Sequence, residues 1–451
     1  MAPLGGAAGR LSPAEIEANF VDIKPPLDKK RAVVDSARCF FCHDAPCVEA
    51  CPTGIDIPNF IRMISTGNVK GAAIEILQEN IFGGMCARVC PTEVLCERAC
   101  VRNTSEDRPV DIGLLQRYAV DQLVETGQQP FRRAAPSGRK VAVVGAGPAG
   151  LSCAHRLAML GHSVTVFEAR ENPGGLNEYG IAAYKTVDGF AQREVEFILS
   201  IGGIEVRTGK RLGTDIKLED LARDYDAVFL GIGLGSVNAL GLPGEHELSG
   251  LLDAVDYIAE LRQARDKSRL EVGRHVVVVG GGNTAIDIAV QTKKLGAEDV
   301  TLVYRRGPYH MSATQHEQEF AQISGVKIKH WAKPVKLIGK DGAISGIELE
   351  YTRLNESGAL EGTGEKFTVE CDQLFKAIGQ TLALPAGLAT ERGKIVVDGN
   401  FKTGMKKVWA GGDCVTSGTD LTVQSVQDGK LAAHAIDRAF RENGTLENGN
   451  G

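Results

Sequence analysis

Hydrophobic and polar positions alternate in blocks along this chain. The β-branched run Lys140–Val144 meets the turn GAGPAG, then the helix-like segment LSCAHRLAMLG, and VTVFEA returns to a strand pattern. The predicted order is strand, helix, strand. HVVVVGGGNTAIDIAVQTKKLG followed by VTLVYRR repeats that order 135 residues later, a duplication of architecture and not a short-period repeat. After Gly307 the chain reads as strands and turns. It then returns to KVWAGGDC and a final helix from about Ser425 to Phe440, with ENGTLENGNG as a disordered tail. Upstream, a helical pattern runs from Ile57 to Leu77, and GQQPFRRAAPSG at 127–138 reads as a linker.

Composition narrows the class. Over 451 residues, 43% apolar and 24% charged positions are ordinary for a globular protein, and the length allows about three domains. The 54 glycines, roughly 12% against a usual ~7%, call for many tight turns. A net charge of −6 without a long basic run gives no support to nucleic-acid binding. No apolar run is long enough to span a bilayer, and Met1–Phe20 lacks a secretory signal pattern, so a cytoplasmic location is expected. In that compartment cysteines serve as ligands or redox groups more than as disulfides.

Eight of the eleven cysteines lie between Cys39 and Cys100. The first run is Cys39-x2-Cys42-x4-Cys47-x3-Cys51-Pro52; the second is Cys86-x3-Cys90-Pro91, then Cys96-x3-Cys100. Four cysteines within thirteen residues, the last followed by proline, follow the bacterial ferredoxin pattern, where the fourth cysteine serves the other of two clusters. Two 4Fe–4S sites are expected. A zinc module in a non-enzymatic interaction protein is the alternative. Cys86 reads as a surplus buried thiol, which leaves seven cysteines for eight ligand positions. Cys153, Cys371 and Cys414 are isolated and read as core residues.

Gly145-x-Gly147-x-x-Gly150 stands between strand and helix, with Glu168 closing the next strand. Glycines there permit close pyrophosphate approach, and an acid in that place bonds a ribose hydroxyl. The second unit carries Gly280-x-Gly282-x-x-Ala285, and its next strand ends in Arg305 and Arg306 in place of an acid. Arginines there pair with a 2′-phosphate, or else are solvated or stack on adenine, so NADH against NADPH stays open. AGGDC, with Gly412 and Asp413, reads as a close approach to a flavin or as a plain turn.

Together these motifs resemble the adrenodoxin-reductase-like flavoproteins, with cysteines similar to those of the glutamate synthase small subunit and dihydropyrimidine dehydrogenase. The resemblance runs from about Cys39 to Phe440. GGLNEYGIAAYK (174–185), VYRRG and CPTEVLCERAC look closest to the NAD(P)-oxidising subunit of bacterial dihydropyrimidine dehydrogenase. It implies an α/β flavoprotein with two dinucleotide-binding domains, the NAD(P) domain (241–369) inserted in the FAD domain (139–240 plus 370–445). An α-helical two-cluster ferredoxin-like module (1–135) precedes them. One cluster would use Cys39, Cys42, Cys47 and Cys100; the other would use Cys51, Cys90, Cys96 and Gln116. FAD would lie on Gly145, Ala146, Gly147, Pro148, Ala149, Gly150, Glu168, Gly174, Gly175, Leu176, Gly412 and Asp413. NAD(P) would lie on Gly281, Gly282, Asn283, Thr284, Arg305, Arg306, Ala377, Ile378 and Gly379. No side chain is expected to act as acid or base. The implied partner is an FMN- and iron–sulfur-containing subunit that reduces the pyrimidine, in a heterotetramer, because the chain ends before any such half.

Overall fold

The computed structural model describes residues 11–382 and 387–448. The chain divides into two compact units. One gathers residues 24–178, 188–235 and those from 382 onward; the other gathers 179–187, 236–381 and the residues up to 23.

The first unit holds a five-stranded parallel sheet in the order Val408–Ala410, Ala227–Leu230, Lys140–Val144, Ser163–Phe167, Ile204–Arg207. Its inner strands are apolar at nearly every position because parallel strands are covered on both faces. The helix Pro148–Met159 packs against the helix Thr422–Asn448. Their approach is close: a Cβ on Gly429 would stand 2.1 Å from Ala149 O. This last helix continues past the expected end near Phe440, since no proline stops it. Of the expected disordered tail, residues 449–451 lie outside the described residues.

Between residues 24 and 128 the described elements are all helical. The Ile57–Leu77 pattern forms two helices, Ile57–Ser65 and Val69–Glu79. Gly67 separates them at φ +83°, and the Asn68 side chain caps the second by accepting from Gly71 N at 3.0 Å. Phe60, Ile64, Ile76 and Leu115 are buried in this module. The linker at 127–138 has no regular element but is pinned: Ala134 N donates to Met159 O at 2.8 Å and Gln129 Nε2 to Phe197 O at 3.0 Å.

The second unit repeats the parallel sheet in the order Leu251–Asp253, Gln373–Ala377, His275–Gly280, Asp299–Val303, Lys327–Lys329. A three-stranded antiparallel sheet, Ala332–Lys340, Ala343–Leu354 and Leu360–Glu370, belongs to it. Strands and turns were expected after Gly307, but a helix, Gln315–Ile323, comes first. Thr314 Oγ1 accepts from Glu317 N at 3.3 Å, a capping signal that starts the helix despite its polar sequence. The helix Pro13–Asn19 also packs in this unit, although the expected module of 1–135 counted it with the cysteines. Ile16 and Phe20 share a core with Tyr184 and Leu295, and Asn19 Nδ2 donates to Lys294 O at 2.9 Å. The segment 179–187 is held by Lys185, whose Nζ lies 2.8 Å from both Asp287 and Glu317.

Candidate functional site

The first glycine turn follows the strand Lys140–Val144. Gly145 sits at φ +97°, where a Cβ would stand 2.3 Å from Gly231 O; one on Gly150 would stand 1.8 Å from Gly145 O. Gly147 is different. A Cβ there would meet Gly175 Cα alone, at 3.7 Å, so its outer face is open just where the helix Pro148–Met159 begins. Glycine at this point leaves room for a pyrophosphate over the helix N-terminus. Glu168 buckles the turn: Oε2 accepts from Ala146 N and Oε1 from Arg170 N, each at 2.8 Å. Gly174 N donates to Ala146 O at 2.8 Å, and a Cβ on Gly175 would stand 2.6 Å from Gly147 Cα, which brings the 174–176 segment against the turn. Gly412, at φ +79°, approaches Ala149, and its N–H donates to Asp428 Oδ2 at 2.9 Å. Ser425 Oγ donates to Asp413 Oδ1 at 3.0 Å, while burial and then Asp420 push the Asp413 carboxyl above its ordinary range. The segments expected to hold FAD thus meet around one open-faced turn, which fits a dinucleotide.

The second turn is built alike but closed otherwise. A Cβ on Gly280 would stand 2.2 Å from Ala377 O, one on Gly281 2.4 Å from the Tyr304 ring, and one on Gly282 3.2 Å from Ser312 Oγ. The helix Asn283–Lys294 starts there with Asn283 exposed and Thr284 half-buried. Ala313 N donates to Gly281 O at 3.0 Å. Arg305 is exposed; Arg306 is half-buried, and its Nε is buried without a hydrogen-bond partner. Their backbone carbonyls are held, that of Arg305 by Thr352 Oγ1 at 2.7 Å and that of Arg306 by Trp331 N at 3.2 Å. Gly379 turns at φ +94°, and Asn238 donates from N to Gly379 O at 3.1 Å and from Nδ2 to Ile378 O at 3.2 Å. A glycine turn at a helix start beside exposed arginine fits a phosphorylated nucleotide.

The thiols fall into two sets. Cys39, Cys42 and Cys47 line a largely apolar cavity together with Cys100 from the second run. Burial, then Cys100 and Cys39, push the Cys47 thiol up to about 12. In the other set, a hydrogen bond with Cys86, burial, and then Cys96 and Cys51 raise Cys90; burial, Glu97 and Cys51 raise Cys96. Buried thiols that oppose one another's ionisation become thiolates only around a strongly cationic group, which fits iron–sulfur clusters. Among the described residues no three His, Cys, Asp or Glu side chains converge on a single-ion point. Gln116 is buried and donates from Nε2 to Gly83 O at 2.7 Å. Cys86 is buried; His43 is fully exposed beside Asp44; Cys153, Cys371 and Cys414 are buried singly.

Sequence reasoning missed several residues around these sites. Lys430 is buried on the last helix and donates to Thr53 O at 3.0 Å and Glu79 Oε2 at 2.7 Å, two residues beyond Cys51. Asp428 and Ser425, on the same helix, hold the Gly412–Asp413 turn. A charged residue on the apolar stripe of that helix was the available signal.

A protein with two dinucleotide turns on parallel sheets, behind a helical module of paired thiol sets, is an oxidoreductase of the flavin and iron–sulfur class. Residues 139–429 match the family model of pyridine nucleotide-disulphide oxidoreductases, and residues 16–128 match that of dihydropyrimidine dehydrogenase domain II, 4Fe-4S cluster. The chain belongs to the pyridine nucleotide-disulphide oxidoreductase family, in the branch that carries this N-terminal 4Fe–4S domain. It is 34% identical to the NAD-dependent dihydropyrimidine dehydrogenase subunit PreT of Salmonella typhimurium, over 94% of this chain and 98% of that one. It is 33% identical to the NADPH glutamate synthase small chain of Escherichia coli, over 92% and 93%. Among solved structures, FprA from Mycobacterium tuberculosis shares the fold, with a TM-score of 0.59 at 19% identity, over 69% of this chain and 86% of that one. Thioredoxin reductase of T. acidophilum has a TM-score of 0.52 at 22% identity, over 66% and 98%. The chain is an NAD(P)-dependent flavin/iron–sulfur oxidoreductase that uses FAD, NAD(P)H and 4Fe–4S clusters. No described helix is long and apolar enough to cross a membrane.

Proposed function

We propose that this chain is the electron-input subunit of a dihydropyrimidine dehydrogenase. It oxidises NAD(P)H and supplies an FMN- and iron–sulfur-containing partner that reduces uracil or thymine, reversibly, to the 5,6-dihydropyrimidine. The observation that carries the reading is the interleaving of the cysteine runs, with Cys100 in one cavity with Cys39, Cys42 and Cys47. The extent of the match to PreT supports it. When bound, FAD supplies the change from two-electron to one-electron transfer, and the clusters supply one-electron carriers.

The residues of the chain do the placing. Gly145–Gly150 and Glu168 would hold the FAD pyrophosphate and ribose; Gly174–Leu176, Gly412 and Asp413 would line its other side. Gly281–Thr284, Arg305, Arg306 and the Ala377–Gly379 turn would hold NAD(P) on the unit that gathers 236–381, whose sheet runs past the expected bound at 369 to include Gln373–Ala377. Cys39, Cys42, Cys47 and Cys100 would bind one cluster; Cys51, Cys90, Cys96 and Gln116 would bind the other. Because Gln116 Nε2 is engaged by Gly83 O, its carbonyl oxygen is the end offered to iron. No side chain need move a proton in the hydride step.

The test is to purify the chain anaerobically, count iron, and assay uracil reduction by NAD(P)H with the partner added. About eight irons per chain and NAD(P)H-dependent dihydrouracil are expected. A zinc-loaded colourless protein overturns the cluster assignment. The 33% match to the glutamate synthase small chain favours a second reading, and electrons delivered only to a glutamate-forming partner would select it.

A further inference from the structure

Within the first unit, the helix Gly83–Val89 meets the helix Phe190–Leu199 across a glycine pair. A Cβ on Gly84 would stand 2.4 Å from Phe190 Cζ and 2.8 Å from Glu194 Oε1; one on Gly83 would stand 2.7 Å from Ile76 Cγ2. With hydrogens alone at both positions, the fully buried Glu194 reaches the backbone. Its Oε1 accepts from Gly84 N at 2.7 Å and from Met85 N at 3.1 Å. The N–H of Gly84 and the C=O of Gly83 belong to one peptide group. That same carbonyl accepts from Gln116 Nε2 at 2.7 Å. A single peptide therefore joins a buried carboxyl to the Gln116 amide.

We propose that Glu194 is a positioning residue for Gln116, acting through the Gly83–Gly84 peptide, and that by this route it sets the reduction potential of the cluster held by Cys51, Cys90, Cys96 and Gln116. The inference rests on the ligand reading of Gln116 given above. A peptide whose N–H bonds a carboxylate has a more negative carbonyl, and bonds in such a chain strengthen one another. That carbonyl grips the Gln116 amide N–H more firmly, fixes the amide plane, and draws electron density toward the oxygen offered to iron. A stronger oxygen donor and a nearby negative charge both favour the oxidised cluster and lower its potential.

The groups around Glu194 leave the charge effect legible. From its own neighbour helix comes Arg88, which lies 3.4 Å over the Phe190 ring and pairs with Asp121 at 2.8 Å. Asp121, on the helix Ile112–Glu125, also lies 3.3 Å from Arg117. The helix Pro148–Met159 brings His155, which burial holds down to about 3 and so uncharged, and Arg156, which donates to Gln78 O. Burial pushes the Glu194 carboxyl up to about 8, against the Met85 N–H and Arg88. The carboxylate is therefore best observed at alkaline pH.

The experiment uses the full chain, purified anaerobically, with EPR of the reduced clusters and midpoint potentials measured at pH 9. Glu194→Gln keeps an acceptor of the same shape and removes the charge; Glu194→Leu removes both; Gln116→Ala removes the proposed ligand. The expected result is that Gln116→Ala changes the EPR signature of one cluster. Glu194→Gln raises the potential of that same cluster by about tenfold in its reduction equilibrium, about 59 mV for one electron, with flavin content unchanged. Glu194→Leu moves that cluster's EPR line shape as well. If Gln116→Ala alters the cluster while neither Glu194 variant moves its potential or signature, the inference falls and the ligand reading stands. If Gln116→Ala leaves both clusters untouched, the ligand reading falls and takes the inference with it.

Discussion

The two glycine turns have the same backbone plan and opposite closures. In both, a glycine at the strand end lies so near a neighbouring carbonyl that no side chain fits: a Cβ on Gly145 would stand 2.3 Å from Gly231 O, and one on Gly280 2.2 Å from Ala377 O. In the first turn an acid from the next strand, Glu168, accepts from the turn's own Ala146 N–H. In the second, the corresponding strand end supplies Tyr304, Arg305 and Arg306, and the turn is steadied from outside by Ala313 N. One turn is locked by the acid of its next strand; the other has Arg305 exposed and Arg306 half-buried at the corresponding place. The difference teaches that the glycines fix a close backbone approach, while the residue closing the next strand is where the two turns diverge chemically.

The largest expected effect tests the shared plan. Gly150→Val places a side chain where a Cβ already stands 1.8 Å from Gly145 O, so bound flavin should fall by more than about tenfold, the equivalent of about 1.4 kcal/mol or more. Absorbance of the purified protein reads this directly, and full flavin retention would break the assignment of the turn. Next is the lock itself. Glu168→Ala orphans two backbone N–H groups, and a loss of about 2–3 kcal/mol, a Tm fall of roughly 2–5 °C for a chain of this size, is expected. A second-turn variant without an acid to lose should show no such change.

The paired substitution Arg305→Ala and Arg306→Ala sharpens the contrast. If these arginines read a 2′-phosphate, KM for NADPH rises about tenfold while KM for NADH stays level, as for loss of one charge-assisted bond. Equal effects on both nucleotides would assign the arginines to the adenine or to solvent. The smallest effect belongs to Ser312→Ala. The Ser312 Oγ contact with Gly281 O is long, 3.4 Å, and Ala313 N keeps that carbonyl satisfied, so stability should change by less than about 0.5 kcal/mol.

Both turns, and the cysteine runs, were legible in the sequence because their physics is short-ranged. A glycine required by a neighbouring carbonyl, a proline at the first helical position and thiols a few residues apart leave their mark within a dozen positions. The helix Gln315–Ile323 was not read, although Thr314 and Glu317 carried a capping signal. Its apolar periodicity is weak, with Gln318 and Ala321 its buried positions.

By itself the sequence determined two strand–turn–helix units, their glycine approaches, the acid of one and the arginines of the other, and two runs of cysteines. Tertiary structure alone decided which residues from far along the chain complete them. Lys430 grips the loop after Cys51, and residues 11–23 pack with Tyr184 and Leu295. Glu194 meets Gln116 across the Gly83–Gly84 peptide. The physical reason is that a buried polar group must be satisfied by whatever donor the fold brings to it. That partner is set by helix packing over tens to hundreds of residues, which no local pattern encodes.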